Sequence, residues 1–211
     1  MEKHKVLDIR LLSETAYVVR FERDGLQFVP GQHVYVGLPG DENRPYSVYS
    51  GENEDFVEIL VKEINKGNVS RKLKKLEQDS FVEVDDAQGH FSIKERLGEK
   101  LYFVATGTGI APFHSFVKSY PGIEYTLIHG VAYAEEGYGK EEYGSSRYVL
   151  CTSRGSGGNF DGRVTEYVKG VDLDKNSYFL LCGNSAMVDD VYDILLDKGV
   201  ARERIRTEIY F

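Results

Sequence analysis

Between residues 6 and 84 the apolar positions fall in short runs with a period of two, broken by turn formers. The runs 6–11, 16–21, 33–38, 47–50, 56–62 and 81–84 are rich in Val, Ile, Tyr and Phe, as half-buried strands are. Many short strands at this spacing predict an antiparallel β-barrel. One segment changes period. Val69, Leu73 and Leu76 share a helical face while basic residues take the other, which predicts a helix over 69–76. Beyond residue 100 the pattern changes again: short apolar runs at 101–105, 125–129, 148–151 and 178–181 alternate with helix-like stretches such as 111–117 and 186–196. Such alternation predicts a doubly wound, mostly parallel α/β sheet. The polar stretch 94–100 separates the two patterns, so the chain reads as two domains, residues 1–97 and 98–211. Residues 133–146, rich in Gly and Glu, are expected to be irregular or mobile.

A chain of 211 residues suits two domains of ordinary size. No segment approaches the roughly 20 continuous apolar residues needed to span a bilayer. The charged residues 1–10 are unlike a secretion signal, and a cytoplasmic protein is expected. The two cysteines, Cys151 and Cys182, are too widely spaced for a Cys-x-x-Cys metal site or a disulfide framework. Any iron–sulfur chemistry would therefore belong to a partner. The five histidines show no metal-ligand spacing, and structural or surface roles are expected of them. A formal net charge of −8 argues against nucleic acid as the main partner. Against that acidic background Lys62, Lys66, Arg71, Lys72, Lys74 and Lys75 lie close together. The cluster reads either as a solvated helix face or as a docking patch for an acidic protein, since complementary charge speeds encounter.

Several short motifs carry candidate chemistry. After the run 101–105 comes Thr106-Gly107-Thr108-Gly109-Ile110-Ala111-Pro112 and then a helix. Glycines admit a close ligand, Pro112 suits a first helical turn, and helix N-termini offer N–H groups to a phosphate. A pyrophosphate is expected here, although the Gly-x-Gly-x-x-Gly dinucleotide fingerprint is not met. Cys182-Gly183-Asn184 ends a later strand, at the sheet edge where open α/β folds bind ligands; a buried structural cysteine is the alternative. Thr152-Ser153-Arg154 ends another, and a hydroxyl beside a guanidinium suits a phosphate monoester, with Arg163 a second cation. The alternative is an ordinary polar loop. In the barrel half, Arg44-Pro45-Tyr46-Ser47 places a cation, a ring and a hydroxyl together, for a planar heterocycle or simply a core tyrosine. Gly67-Asn68-Val69-Ser70 opens the basic helix as a second anion site.

These motifs, with Gly89-His90-Phe91 and an aromatic carboxyl terminus, follow one another in an order that resembles the ferredoxin–NADP reductase family, most closely its bacterial ferredoxin or flavodoxin reductases. The resemblance covers essentially the whole chain. It implies a flavin-binding barrel followed by a nucleotide-binding α/β domain, with FAD and NADP as cofactors. It implies that Tyr46 stacks on the flavin, Ser47 hydrogen-bonds near its N5 and Arg44 holds its phosphates, with Gly67, Asn68, Val69 and Ser70 cradling the pyrophosphate. Thr106, Gly107, Thr108 and Gly109 are implied for the nicotinamide nucleotide's pyrophosphate, and Ser153, Arg154 and Arg163 for its 2′-phosphate. Cys182 and Glu208, with Gly183, Asn184 and Met187 beside them, are implied to line the place where nicotinamide meets flavin. Tyr210 fits the aromatic residue that covers the flavin and moves aside, and Phe211 follows it as an extra aromatic does in the bacterial subgroup.

The chain departs from the family by being short, chiefly around 133–146, and by carrying Gly155 where many NADP-dependent members have Glu. The implied activity is NADPH-dependent reduction of a ferredoxin or flavodoxin by hydride transfer at flavin N5. Two other readings remain: an NADH-dependent reductase component of an oxygenase or other multi-subunit system, and a non-catalytic flavin- or nucleotide-binding subunit. The last is disfavoured because Tyr46, Ser47, Cys182 and the terminal aromatic are all present.

Overall fold

A computed structural model describes residues 1–64 and 67–210; Lys66 of the basic cluster and the terminal Phe211 lie outside the described residues. The chain divides into two compact units, Met1–Ile93 with Ala111–Ser119, and Lys94–Ile110 with the chain from Tyr120 onward.

In the first unit, strands β1 (Glu2–Leu11), β2 (Ala16–Glu22), β3 (His33–Gly37), β4 (Asn43–Ser47), β5 (Phe56–Lys62) and β6 (Phe81–Val84) form an antiparallel sheet in the order β4-β3-β6-β1-β2-β5. A bridge between Val48 and Ile59, with the Tyr49 N–H donating to the Glu58 carbonyl at 2.7 Å, joins the two ends and closes a barrel. The period-two pattern turns Tyr17, Val19, Phe21, Val34, Val36 and Ile59 into a dry core. Helix α1 (Asn68–Leu73) adds Val69 and Leu73 to it. The structure shifts one expected strand: pairing runs over Asn43–Ser47, through Pro45, rather than over 47–50. Proline argues against a central strand but is tolerated on the terminal strand of a sheet, and residues 48–50 turn to meet β5 instead.

Helix α2 (Ala111–Ser119), although it lies in the second half of the chain, packs in this unit. The Ser115 hydroxyl donates to the Ser50 carbonyl at 2.7 Å, and the His114 ring stacks on Tyr49 at 3.7 Å. The Ser119 hydroxyl accepts the Glu52 N–H at 2.9 Å.

In the second unit, β7 (Lys100–Thr106), β8 (Glu124–Val131), β9 (Tyr148–Thr152), β10 (Phe160–Asp161), β11 (Tyr178–Asn184) and β12 (Ile205–Tyr210) form a wholly parallel sheet, ordered β10-β9-β8-β7-β11-β12. The chain steps outward from β7 through β8 to β10, then returns to β11 on the other side of β7. The topological switch point thus lies between β7 and β11, where open α/β sheets bind ligands. Both strands are continuous apolar runs, as strands covered on both faces must be. Helices α3 (Val164–Gly170) and α4 (Ser185–Asp197) supply Val164, Val168, Met187, Val188 and Val191 to the core. Strands β10 and β12 and helix α3 were not anticipated from the pattern of residues.

The segment 133–146 is irregular, with short 3₁₀ turns at Ala134–Glu136 and Lys140–Glu142. It is nevertheless packed, because Tyr138 and Tyr143 are both buried. Among the described residues, no helix is long and apolar enough to cross a membrane.

Candidate functional site

At the switch point two loops meet backbone to backbone. Strand β7 ends at Thr106 and passes into a 3₁₀ turn, Gly107–Ile110, while β11 ends in Cys182, Gly183 and Asn184. The Thr106 hydroxyl oxygen accepts the Asn184 N–H at 3.1 Å. Gly183 has φ 138°, and a Cβ there would fall 2.3 Å from that same Thr106 oxygen. A Cβ on Gly109 would fall 2.4 Å from the Cys182 carbonyl oxygen. Gly107 is different: its φ is +52° and nothing lies within 4 Å of the Cβ position. The edge is therefore tight where the loops touch and open at Gly107, with Thr108 half-buried beside it. Asn184 caps α4, its side-chain oxygen accepting the N–H groups of Ala186 and Met187 at 3.1 and 3.4 Å. Met187 itself is a core residue of this unit.

Cys182, Glu208 and Tyr210 are brought together. Cys182 and Glu208 are register partners between β11 and β12, and Tyr210 lies two pairs further on, opposite Asn184. Burial, followed by the Glu208 carboxylate, pushes the Cys182 thiol well above its ordinary value, against a smaller opposing pull from Tyr210. Cys182 is thus a protonated, buried thiol at the sheet edge rather than a nucleophile.

Ser153 and Arg154 follow β9 on the same carboxyl edge, both exposed. Their amides donate to Val131 and Ala132 carbonyls at 3.0 and 2.9 Å. Arg163, also exposed, opens α3 two residues after β10. The pairing of Thr152 with Asp161 puts the segments carrying Arg154 and Arg163 at equal height on the sheet edge. Asp161 stands there too, its carboxylate 3.2 Å from the Thr152 hydroxyl.

In the barrel, Arg44 and Tyr46 project from one face of β4 and Ser47 from the other, opposite His33. Arg44 is exposed and paired with Glu42 at 3.0 Å. Tyr46 is half-buried against the barrel core, and desolvation pushes its hydroxyl up to about 12. Ser47 is buried. Gly67 precedes α1, and the side chains of Val69 and Ser70 turn inward; the Ser70 hydroxyl oxygen accepts the Ile64 N–H at 3.2 Å, and the Ser70 carbonyl accepts from the Tyr17 hydroxyl. Asn68 is exposed and reaches Asp41 at 3.4 Å. Much of the basic cluster is matched by carboxylates: Lys72 pairs with Asp41, and Lys74 with Glu63 at 2.6 Å, where Arg71 approaches to 3.9 Å. These cations hold both carboxyls below the usual range.

One residue that sequence reasoning passed over sits behind the open loop. His129, on β8, is fully buried, with Nε2 2.8 Å from the Gly107 carbonyl oxygen and Nδ1 2.9 Å from the Tyr148 hydroxyl. Burial pushes its pKa down to about 4. A lone histidine in an apolar strand carries no motif, so only its contact with the loop reveals it.

Residues 4–93 match the family model described as an oxidoreductase FAD-binding domain. The chain is 30% identical over 200 residues to a probable dihydroorotate dehydrogenase B (NAD(+)) electron transfer subunit of Methanocaldococcus jannaschii, covering 92% of this chain and 74% of that one. It is 26% identical over 226 residues to a ferredoxin–NADP reductase of Azotobacter vinelandii, covering 90% and 87%. A solved ferredoxin NADP+ reductase of Neisseria gonorrhoeae, with bound FAD and NADP, superposes with a TM-score of 0.90 at 27% identity, covering 100% of this chain and 98% of that one. A closed antiparallel barrel, a parallel sheet with its loops gathered at the switch point, and full-length similarity of this kind place the chain in the ferredoxin–NADP reductase family of FAD-binding oxidoreductases.

Proposed function

We propose that this chain is an FAD-dependent reductase that takes electrons from a reduced nicotinamide dinucleotide and delivers them to a one-electron carrier protein, ferredoxin or flavodoxin. The observation that carries this reading is the switch-point edge, where Thr106 meets Asn184 and Gly109 meets Cys182, with Glu208 and Tyr210 on the adjoining strand and open space at Gly107. An extended pyrophosphate needs an opening of this kind, with backbone rather than side chains at its rim.

The barrel residues fit a flavin nucleotide. Arg44 offers an exposed guanidinium, and Tyr46, two residues on along the same strand face, offers a half-buried ring seated on the core. A cation and a ring on one face suit a planar heterocycle that carries phosphate. In this reading Tyr46 stacks, Ser47 hydrogen-bonds, Arg44 holds phosphate, and Gly67 to Ser70 offer backbone amides. When bound, FAD supplies the means to take two electrons together and release them singly. Cys182 contributes bulk and an apolar, uncharged wall, Glu208 a half-buried carboxylate, and Tyr210 a half-buried ring on the adjoining strand.

For the nucleotide, Ser153, Arg154 and Arg163 favour a 2′-phosphate and hence NADPH. A second reading, NADH as donor to a multi-subunit partner, is favoured by Asp161. A carboxylate at the end of β10, beside these cations, repels phosphate but accepts hydrogen bonds from a ribose hydroxyl. Steady-state reduction of a ferredoxin by each nucleotide tests the proposal. Faster turnover with NADPH upholds the first reading, and faster turnover with NADH the second. Asp161→Asn raises the NADPH to NADH ratio of kcat/KM by about fivefold in either case, from roughly 1 kcal/mol of relieved repulsion. Absence of turnover with both nucleotides, in protein that carries FAD, overturns the proposal.

A further inference from the structure

We propose that His129 is a positioning residue for the nucleotide loop, tying the Gly107 carbonyl into the protein so that the next amide is presented outward. This rests on the reading of Thr106 to Gly109 as the pyrophosphate site. The Gly107 carbonyl can only accept a hydrogen bond, so the imidazole nitrogen 2.8 Å from it, Nε2, carries the proton. In the neutral ring Nδ1 is then an acceptor, and the Tyr148 hydroxyl donates to it at 2.9 Å. Each buried polar atom of the pair has a partner, and the tautomer follows from those partners.

The consequence for the loop comes from peptide geometry. Among the described residues the peptide bonds are all trans, and in a planar trans unit the C=O and N–H point in opposite directions. Drawing the Gly107 carbonyl toward buried His129 therefore aims the Thr108 N–H away from the histidine, and the space around the Gly107 Cβ position is open. A left-handed Gly107, at φ +52°, is the hinge that would otherwise let this peptide turn over. His129 opposes that flip.

The latch has its own support. Tyr148 stacks on Tyr143 with ring centroids 5.3 Å apart, and the Tyr138 ring lies 6.2 Å from His129. Tyr138 and Tyr143 are 2% exposed, and both come from the segment 133–146. That irregular segment thus has a definite role: it closes the aromatic shell behind the histidine, and the shell keeps the imidazole dry and neutral.

The test uses oxidised, FAD-loaded protein and isothermal titration with NADP+ and NAD+, alongside thermal midpoints. His129→Leu removes the donor and is expected to weaken binding of the preferred nucleotide by about tenfold, the value of one well-placed hydrogen bond. His129→Gln can donate to Gly107 and accept from Tyr148, and is expected to restore affinity to near wild type. Tyr148→Phe keeps the fold-filling ring, removes the support at Nδ1, and is expected to give an intermediate loss. If His129→Leu does not fold, Tyr148→Phe and His129→Gln still decide the matter. Lower thermal midpoints with unchanged dissociation constants across the variants would make His129 a core residue only and overturn the proposal. Wild-type protein that binds neither nucleotide would instead overturn the proposed function, and the latch with it.

Discussion

Among the glycines of the switch-point edge, Gly183 is the one whose replacement the structure constrains most. Its φ of 138° and the 2.3 Å approach of a Cβ to the Thr106 oxygen act together, so Gly183→Ala must move one of two strand ends. We expect a destabilisation of roughly 2 to 4 kcal/mol, read from urea midpoints, with weakened nucleotide binding; an unchanged midpoint would show that the loops are not held together as described. His129 makes a second expectation, in pH. Its pKa is pushed down from 6.5 to about 4, so the unfolded chain binds more protons than the folded one between those values. Stability is fully present above about pH 6.5 and falls as the pH drops toward 4, by up to about 3 kcal/mol. His33 is shifted in the same direction by burial, so the measurement is the difference between wild type and His129→Gln at pH 7 and pH 5. A pH dependence identical in both proteins would exclude His129 as its source. At this scale the sequence showed the glycines, Cys182 and Arg154 through their spacing. His129 was illegible because its meaning lies in a carbonyl 22 residues away.

Among the elements, α1 was legible as a basic amphipathic helix, but its charge state was not. Asp41 and Glu63 lie outside the helix, and their pairing with Lys72, Lys74 and Arg71 appears only once the chain is folded. The cluster is therefore a weaker positive patch than the count of its lysines suggests. Charge reversal should be read at Lys75, which is exposed, because Lys72→Glu also breaks the tether to Asp41. Lys75→Glu is expected to slow reduction of an acidic ferredoxin about threefold at low salt, the effect fading as the Debye length shrinks, and to leave a small neutral acceptor untouched. A defect independent of salt would count against docking at α1. The unanticipated elements share a physical cause. Strand β10 is two residues long, α3 has only Val164 and Val168 buried, and β12 pairs on one side only and carries three polar residues in succession, Arg206, Thr207 and Glu208. Each is fixed by its neighbours rather than by its own pattern.

At the scale of the molecule, the change of hydrophobic period near residue 94 carried both halves of the fold, because a closed barrel needs alternation and a buried parallel sheet needs continuous runs. What the period could not show is that α2, reached directly from the Gly107–Ile110 turn, packs in the barrel unit through Ser115 and His114. The central claim is that the two units serve one reaction, electron transfer from a nicotinamide nucleotide into bound flavin. The most direct measurement is an anaerobic titration of the purified FAD-loaded protein with NADPH and, separately, NADH, following the oxidised flavin absorbance. The account expects rapid and complete bleaching by about one equivalent of the preferred nucleotide. Flavin that neither nucleotide reduces would contradict it, leaving a binding subunit without catalytic function.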